Sequence, residues 1–464
     1  MIKNKLTKIN LISAFSFLFI TFIILIFIFK SEIKNKVFFI FYKDQVDASF
    51  LKKDLKLEKL RFERGYLDQT INEILPYLNE IKLRKSIKII TKTSKLSPFS
   101  NTEYKIEKYT NPILQNMGPR SYIAKYNKNI YLLTGTGALF FGNLNKLNNN
   151  YVTLKKINTN FNKIVDKNYI NEEKTITTDI LIDNGIFYIA YRKKIKDWCY
   201  EISLLAGDLI NNNIEFVEIF STDECQPWKT GAEGGKISTF KDNKLLLTIG
   251  DHGSFEKQYN NNPQKLDNLI GKIISLDLNS FDHEILSIGH RNPQGLFYDK
   301  ELDIIFSSEH GPKGGDEVNI NISPNSKNIK NYGWAISSYG EHYSPNEKLE
   351  KIAPLNKSHS DFGFEEPIKN FNPSIGISQI ALFNDLEKSG KLSIYVSALG
   401  YDIIEGDMSV HELVLNKKLS IIEEKIIPVG ERIRDIFIEK ELPSQIYLYL
   451  ESSGSIAIMD ISKN

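Results

Sequence analysis

From about Ser86 to the C-terminus, apolar residues come in short runs of β-branched and aromatic side chains, broken by Asn, Asp, Gly and Pro. Examples are "NIYLLTGTG", "TDILIDNGIFYIAYRKK", "GGKISTFKDNKLLLTIGD", "LIGKIISLDL", "KLSIYVSALG" and "SQIYLYLESSGSIAIMDI", with hairpin-like turns such as "DNG" and "KDNK". Short strands at close spacing predict an all-β sandwich, barrel or propeller. The stretch is long for a sandwich and suits a propeller, whose blades are four-stranded sheets around a central channel. No clean internal repeat is visible, so periodicity leaves the blade count open.

The N-terminal pattern differs. Ile9 to Phe29 carries no charge, enough to cross a bilayer, for which about 20 residues are needed. Lys3, Lys5 and Lys8 precede it, which by the positive-inside tendency holds the N-terminus in the cytoplasm and sends the rest to the periplasmic or extracellular side; Lys30, Lys34 and Lys36 weaken that bias. The alternative is a cleaved signal peptide, but the apolar run is longer than usual and no A-x-A-like site follows. Next, Leu67, Ile71, Ile74, Leu75 and Leu78 keep helical spacing within Leu51 to Leu83, with Pro76 as a kink. The expected organisation is therefore an anchor over 1–30, a helical stalk or linker over 31–85 and an all-β domain over 86–464.

Charge narrows the partners. With 59 basic and 57 acidic residues the net charge is only +2, so nothing offers the basic face that nucleic acid requires. The two cysteines, Cys199 and Cys225, each sit beside a strand-like run. In an exported domain they suit a disulfide, the alternative being two unrelated thiols. No Cys/His cluster has zinc spacing.

Five motifs then occur in one order: "LLLTIGDHGS" (245–254), "LIGKIISLDL" (269–278), "IGHRNPQGLFYD" (288–299), "FSSEHGPKGGDEVNI" (306–320) and "KNYGWAISSYGEHY" (330–343). Together they resemble the glucose/sorbosone dehydrogenase family, in particular its aldose sugar dehydrogenases, with weaker echoes over 177–191 and 397–439. The resemblance implies a six-bladed β-propeller holding pyrroloquinoline quinone (PQQ) and calcium, and oxidising the C1 hydroxyl of aldoses to lactones. It also implies a sugar or glycan as ligand and allows a homodimer.

The resemblance assigns roles residue by residue. Carbonyls of Gly311 and Pro312 match the ligands of the calcium that polarises PQQ, and Glu317 and Tyr332 match those of a structural calcium. Hard oxygen ligands on a Gly/Pro-rich turn suit that ion, although such a turn alone reads as a solvated loop. Arg291 and Asn292 in "HRNPQG", and Arg432 and Arg434 in "ERIRD", match cofactor contacts. Guanidiniums recognise carboxylates bidentately, and strand residues two apart share a face, so Arg432 and Arg434 would present two cations to one ligand. Departures are as informative. Ala232, in "GAEGGKI", stands at the family's base histidine, and Lys174 and Gly400 fall near its cofactor glutamine and pocket lysine. Glu233 would serve as a substitute base only from a bulge or turn, and His252 and His290 are further candidates. Two readings follow: a membrane-anchored PQQ-dependent aldose dehydrogenase with a rearranged base, or a propeller without redox chemistry that binds a carbohydrate or protein partner.

Overall fold

The computed structural model of the chain describes residues 78–90, 104–111, 113–117, 120–143, 151–226, 232–253, 261–402, 406–439 and 442–461. Antiparallel strands form six groups of four in sequence order. Blade one holds Tyr122–Tyr126, Asn129–Leu133, Leu139–Gly142 and Tyr151–Thr159; blade two Thr177–Asp183, Ile186–Lys196, Cys199–Ile210 and Val217–Ser221. Blade three holds Gly234–Phe240, Lys244–Ile249, Lys272–Asp277 and His283–Ile288; blade four Pro293–Asp299, Ile304–Glu309, Asp316–Ile322 and Lys369–Phe371. Blade five holds Ile377–Asp385, Lys391–Ala398, Ser409–Leu415 and Ile421–Pro428; blade six Ile433–Glu439, Leu442–Leu450, Ser455–Asp460 and Tyr104–Thr110. The first strand of each blade packs on the first strand of the next, and blade six returns to blade one, so the ring closes around a channel.

Closure uses both ends of the described chain. Tyr104–Thr110 pairs with Ser455–Asp460 to complete blade six. Glu80–Ile90 then pairs with Tyr104–Thr110 on one side and with Tyr151–Thr159 of blade one on the other. Two expectations change here. The helical reading of Leu51 to Leu83 does not extend past Asn79, because Glu80–Ile90 is a strand, and the β-domain begins before residue 86. Ile81 and Leu83 are buried while Lys82 and Arg84 point outward, the alternation of a half-buried strand that a helical period had overrun. Among the described residues no helix is long and apolar enough to cross a membrane; Ile9 to Phe29 and the rest of the expected stalk lie outside them.

The apolar cores lie between blades. One packs Phe306, Val318, Ile380 and Val396 where blades four and five meet, and another packs Tyr188, Ile202, Ile237 and Leu247 between two and three. The innermost strands also carry polar fasteners near their starts. Asp179 accepts from the Ile237 N–H at 2.9 Å, Asp435 from Ile123 N–H at 2.8 Å, and Gln379 from Leu296 N–H at 2.8 Å. Each bond joins the start of one inner strand to the start of its neighbour, so these strands begin at the same end of the channel, called the mouth below. Register shifts just after the starts of blades two to six re-aim side chains there.

Candidate functional site

On one flank of the mouth, blade three begins at Ala232-Glu233. The register shift between Gly234 and Ile237 supplies the bulge that Glu233 needs to face inward, but the side chain meets protein there. Arg192 of blade two donates to Glu233 Oε1, and Arg120, ahead of blade one, lies 3.8 Å from Oε2. Arg192 also donates to the Tyr169 hydroxyl at 2.9 Å and to Glu173 at 3.2 Å. Glu233 is 1% exposed. Burial raises its pKa, yet the two guanidiniums outweigh burial and hold the carboxyl at about 2. It is therefore a permanently ionised partner of Arg192 and a weak proton acceptor. His252 is equally buried, its backbone N–H bonded to the Ala232 carbonyl, and burial brings its imidazole down to about 4. His290 is held between Ser287 Oγ (2.8 Å) and Glu309 (3.0 Å). The disulfide Cys199–Cys225, with Cα atoms 4.8 Å apart, ties the central hairpin of blade two to the segment leading to Ala232.

Next to this flank, Arg291 and Asn292 lead into blade four. Glu309 accepts the Arg291 N–H at 2.7 Å, and the half-buried guanidinium donates to the carbonyls of His310 (3.2 Å) and Gly311 (2.8 Å), with Trp334 5.2 Å beneath it. Trp334 in turn donates to Asp251 at 2.8 Å. Asn292 accepts from Gly234 N–H and from Gln294. The turn after Glu309 is tight enough to require glycine: a Cβ at Gly311 would lie 1.7 Å from the Gly315 carbonyl oxygen. Its acidic residues serve the fold. Asp316 accepts from Gly311 N–H at 3.2 Å and from Ile377 N–H of blade five at 2.9 Å. Buried Glu317 lies 3.4 Å from His359, and the Tyr332 hydroxyl donates to the Ile320 carbonyl at 2.6 Å. Burial lowers the basicity of His359, but Glu317 outweighs it and raises the imidazole.

Blade six supplies the third part. Arg432 and Arg434 converge on one carboxylate, Glu451, at 3.1 and 2.6 Å. Burial raises the Glu451 pKa, and the two arginines bring it below its usual value. Arg432 also donates to the Leu399 carbonyl, and its Cζ lies 4.4 Å from the Tyr401 ring centroid. Deeper in the channel, Lys236 is fully buried against Asp179 (2.9 Å), Asp435 (3.9 Å) and the Tyr122 ring (4.4 Å). Burial pushes Asp435 up to about 7. This cluster joins blades six, one, two and three below the mouth.

Residues 178–458 match the family described as glucose/sorbosone dehydrogenase. The chain belongs to that family. It is 30% identical to aldose sugar dehydrogenase YliI of Escherichia coli K12 over 247 residues, 48% of this chain and 58% of that protein. It is 28% identical to quinoprotein glucose dehydrogenase B of Acinetobacter calcoaceticus over 127 residues, 22% of this chain and 25% of that protein. An uncharacterized protein of Synechocystis, slr1608, is 29% identical over 225 residues, 44% of this chain and 50% of that protein. The matched segments thus span at most about three-fifths of these relatives. The soluble aldose sugar dehydrogenase of E. coli in its apo form shares the fold, with a TM-score of 0.56 at 19% identity over 81% of this chain and 99% of that chain. A glucose dehydrogenase structure has a TM-score of 0.57 at 20% identity, covering 74% of this chain and 96% of that one.

Family membership makes the fit to calcium and PQQ a direct question. The carbonyls assigned to calcium are engaged: Gly311 accepts from Arg291, and Pro312 from Gly315 N–H at 3.0 Å. The adjoining hollow, about 10 Å³ and bordered by Arg291, Glu309, Glu317, Tyr332 and His359, has a guanidinium and a strengthened imidazole on its walls. Its two carboxylates are already engaged, Glu309 by His290 and the Arg291 N–H and Glu317 by His359, and among the described residues no group of three His, Cys, Asp or Glu stands together to hold a metal ion. As arranged, the residues do not fit calcium. For a polycarboxylate such as PQQ, the charges of Arg432 and Arg434 are already offset by Glu451, so that set does not fit an anion, although Arg432 uses only three of its five donor hydrogens and keeps two for neutral hydroxyls. Lys174 closes the helix Lys167–Glu173 in a left-handed conformation, and Gly400 packs against Asp407. Sequence reasoning missed Arg120, Arg192, Glu451 and the Asp179–Lys236–Asp435 cluster. One signal existed: "TTDI" and "IRDI" put an Asp-Ile pair at the start of two inner strands.

Proposed function

We propose that this chain is a ligand-binding member of the glucose/sorbosone dehydrogenase family, holding a sugar or sugar-derived ligand at the mouth without oxidising it. The observation that carries this reading is Ala232 at the family's base position, with every substitute engaged. Glu233 is bound by Arg192, His252 is buried with a weakened imidazole, and His290 bridges Ser287 and Glu309. General-base catalysis needs an acceptor within hydrogen-bond reach of the hydroxyl and a pKa near the working pH. The half-buried guanidiniums of Arg291 and Arg432 remain suited to donate to ligand oxygens. By the charge pattern around Ile9 to Phe29, the propeller stands outside the cytoplasm on a single anchor.

A second reading, PQQ-dependent oxidation of aldoses to lactones, draws on Arg291, Asn292, Arg432 and Arg434 gathering at one end, and on relatives named aldose sugar dehydrogenase and quinoprotein glucose dehydrogenase. One experiment separates the two. PQQ and, separately, several aldoses are titrated calorimetrically into the full-length chain with calcium, beside dye reduction on the same aldoses, for the wild type and Ala232→His. The proposal expects aldose binding without dye reduction by the wild type. Turnover by the wild type would overturn it in favour of oxidation, and turnover by Ala232→His alone would identify the missing base as the reason for inactivity.

A further inference from the structure

Exposed aromatic rings are not spread evenly over this molecule. Among the described residues the three most exposed are Tyr401 at 78%, Trp198 at 65% and Tyr343 at 63%. All three belong to the mouth side. Trp198 is at the tip of the blade-two hairpin, where Ile186–Lys196 runs past Arg192, the partner of Glu233, before turning back at Cys199. Tyr343 follows Glu341, whose backbone exchanges two hydrogen bonds with Lys313 in the turn beside Gly311. Tyr401 follows Leu399 and Gly400, which bond to Gly376 and Ile375 ahead of the innermost strand of blade five. The less exposed rings include Phe281, which lies at the opposite end in the hairpin between the last two strands of blade three.

Each ring stands on a fixed base. The Arg432 guanidinium supports one face of Tyr401 at 4.4 Å, the Cys199–Cys225 disulfide pins the hairpin that carries Trp198, and the Lys313–Glu341 bridge pins the segment of Tyr343. Large apolar rings held in water cost free energy unless something covers them, and rings fixed in place lose little conformational freedom on binding. Blades two and five are opposite each other in a ring of six. Trp198 and Tyr401 each follow the second strand from the axis, so roughly 14 Å of sheet plus the width of the channel separates them. A single hexose cannot touch both.

We propose that the mouth face binds an extended oligosaccharide, its C–H faces stacked on Trp198, Tyr343 and Tyr401 and its hydroxyls directed to the half-buried Arg291 and Arg432. This rests on the sugar-binding reading above and names the class of ligand. A bilayer is the less suitable occupant, because the rings surround guanidiniums and a polar channel rather than forming one apolar patch.

The test is calorimetric titration of the full-length chain with glucose, maltohexaose, cellohexaose and a galacturonic acid hexamer, beside sedimentation with anionic phosphatidylserine vesicles. The expected result is that at least one hexamer binds more than tenfold tighter than the monosaccharide. Trp198→Ala and Tyr343→Ala should each weaken the hexamer by about 3- to 10-fold, the range of one aromatic stacking contact. Binding of glucose with no gain from chain length would overturn the oligosaccharide inference and leave the sugar-binding reading standing. Failure of every carbohydrate would overturn both. Vesicle binding that depends on Trp198, without hexamer binding, would assign the rings to a membrane surface instead.

Discussion

The two flanks of the mouth handle charge in opposite ways. Toward blades two and three, Glu233 and Arg192 form an ion pair with side chains only 2% and 3% exposed. Toward blades four to six, Arg291 and Arg432 stay half-buried at the entrance, and Arg432 supports a ring that faces water. The first flank is where the family's resemblance expects proton transfer, and it has become part of the core. The second is where recognition of oxygen-rich ligands is expected, and it still reaches solvent. Loss of a reaction and retention of a binding face can thus coexist on one rim, because the residues for each come from different blades.

The contrast can be broken in several ways. Glu233→Ala leaves Arg192 buried with less counter-charge and should cost about 3–5 kcal/mol in urea unfolding, as for a broken buried pair. A loss below about 1 kcal/mol would mean that the pair is solvated. Reducing the Cys199–Cys225 disulfide opens a loop of 26 residues and should cost about 3 kcal/mol, read as a lower urea midpoint in dithiothreitol; an unchanged midpoint would show that the flank does not need the crosslink. Acid titration gives the third. The Glu233 carboxyl is lowered from 4.5 to about 2 in the folded state, so its contribution is complete above pH 4.5 and is lost as pH falls toward 2. Wild type should lose about 3 kcal/mol across that window, and Glu233→Gln should lose less.

The open flank should respond weakly in stability. Arg432→Ala leaves Glu451 paired with Arg434 and should cost about 1 kcal/mol or less, while reducing sugar binding at the mouth; the reverse pattern would make Arg432 a structural residue. Smallest of all is the response to calcium. With Gly311 bonded to Arg291 and Glu317 beside His359, Glu317→Ala should lower Tm equally in calcium and in chelator. A drop confined to calcium would restore the structural calcium site.

The β architecture was legible because strand alternation and turn residues are local signals. So was the mouth motif set, since "HRNPQG" and "GPKGGDE" are contiguous. The pairings were not. Arg432 and Arg434 were legible as two cations on one face, but their partner Glu451 comes from the next hairpin turn, and no spacing rule links the two. Glu233 was legible as a carboxylate beside Ala232, yet its loss as a base depends on Arg192, a residue of the preceding blade. The start of the β-domain was misplaced because the helical spacing of Leu67, Ile71 and Leu78, read across a kink at Pro76, was carried on into the strand Glu80–Ile90.

That strand has a practical consequence for anyone dividing the molecule. It sews the outer edge of the last blade to the outer edge of the first, with Arg84 to Ile90 on one seam and Glu80 to Arg84 on the other. A fragment cut at residue 86 would lose Glu80 to Lys85, leaving the outer edge of blade one bare for pairing with a second copy and only Ser86 to Ile90 on the edge of blade six. Recombinant versions should begin upstream of Leu78, and a shorter one that aggregates would be reporting its own ragged hem rather than any property of the intact protein.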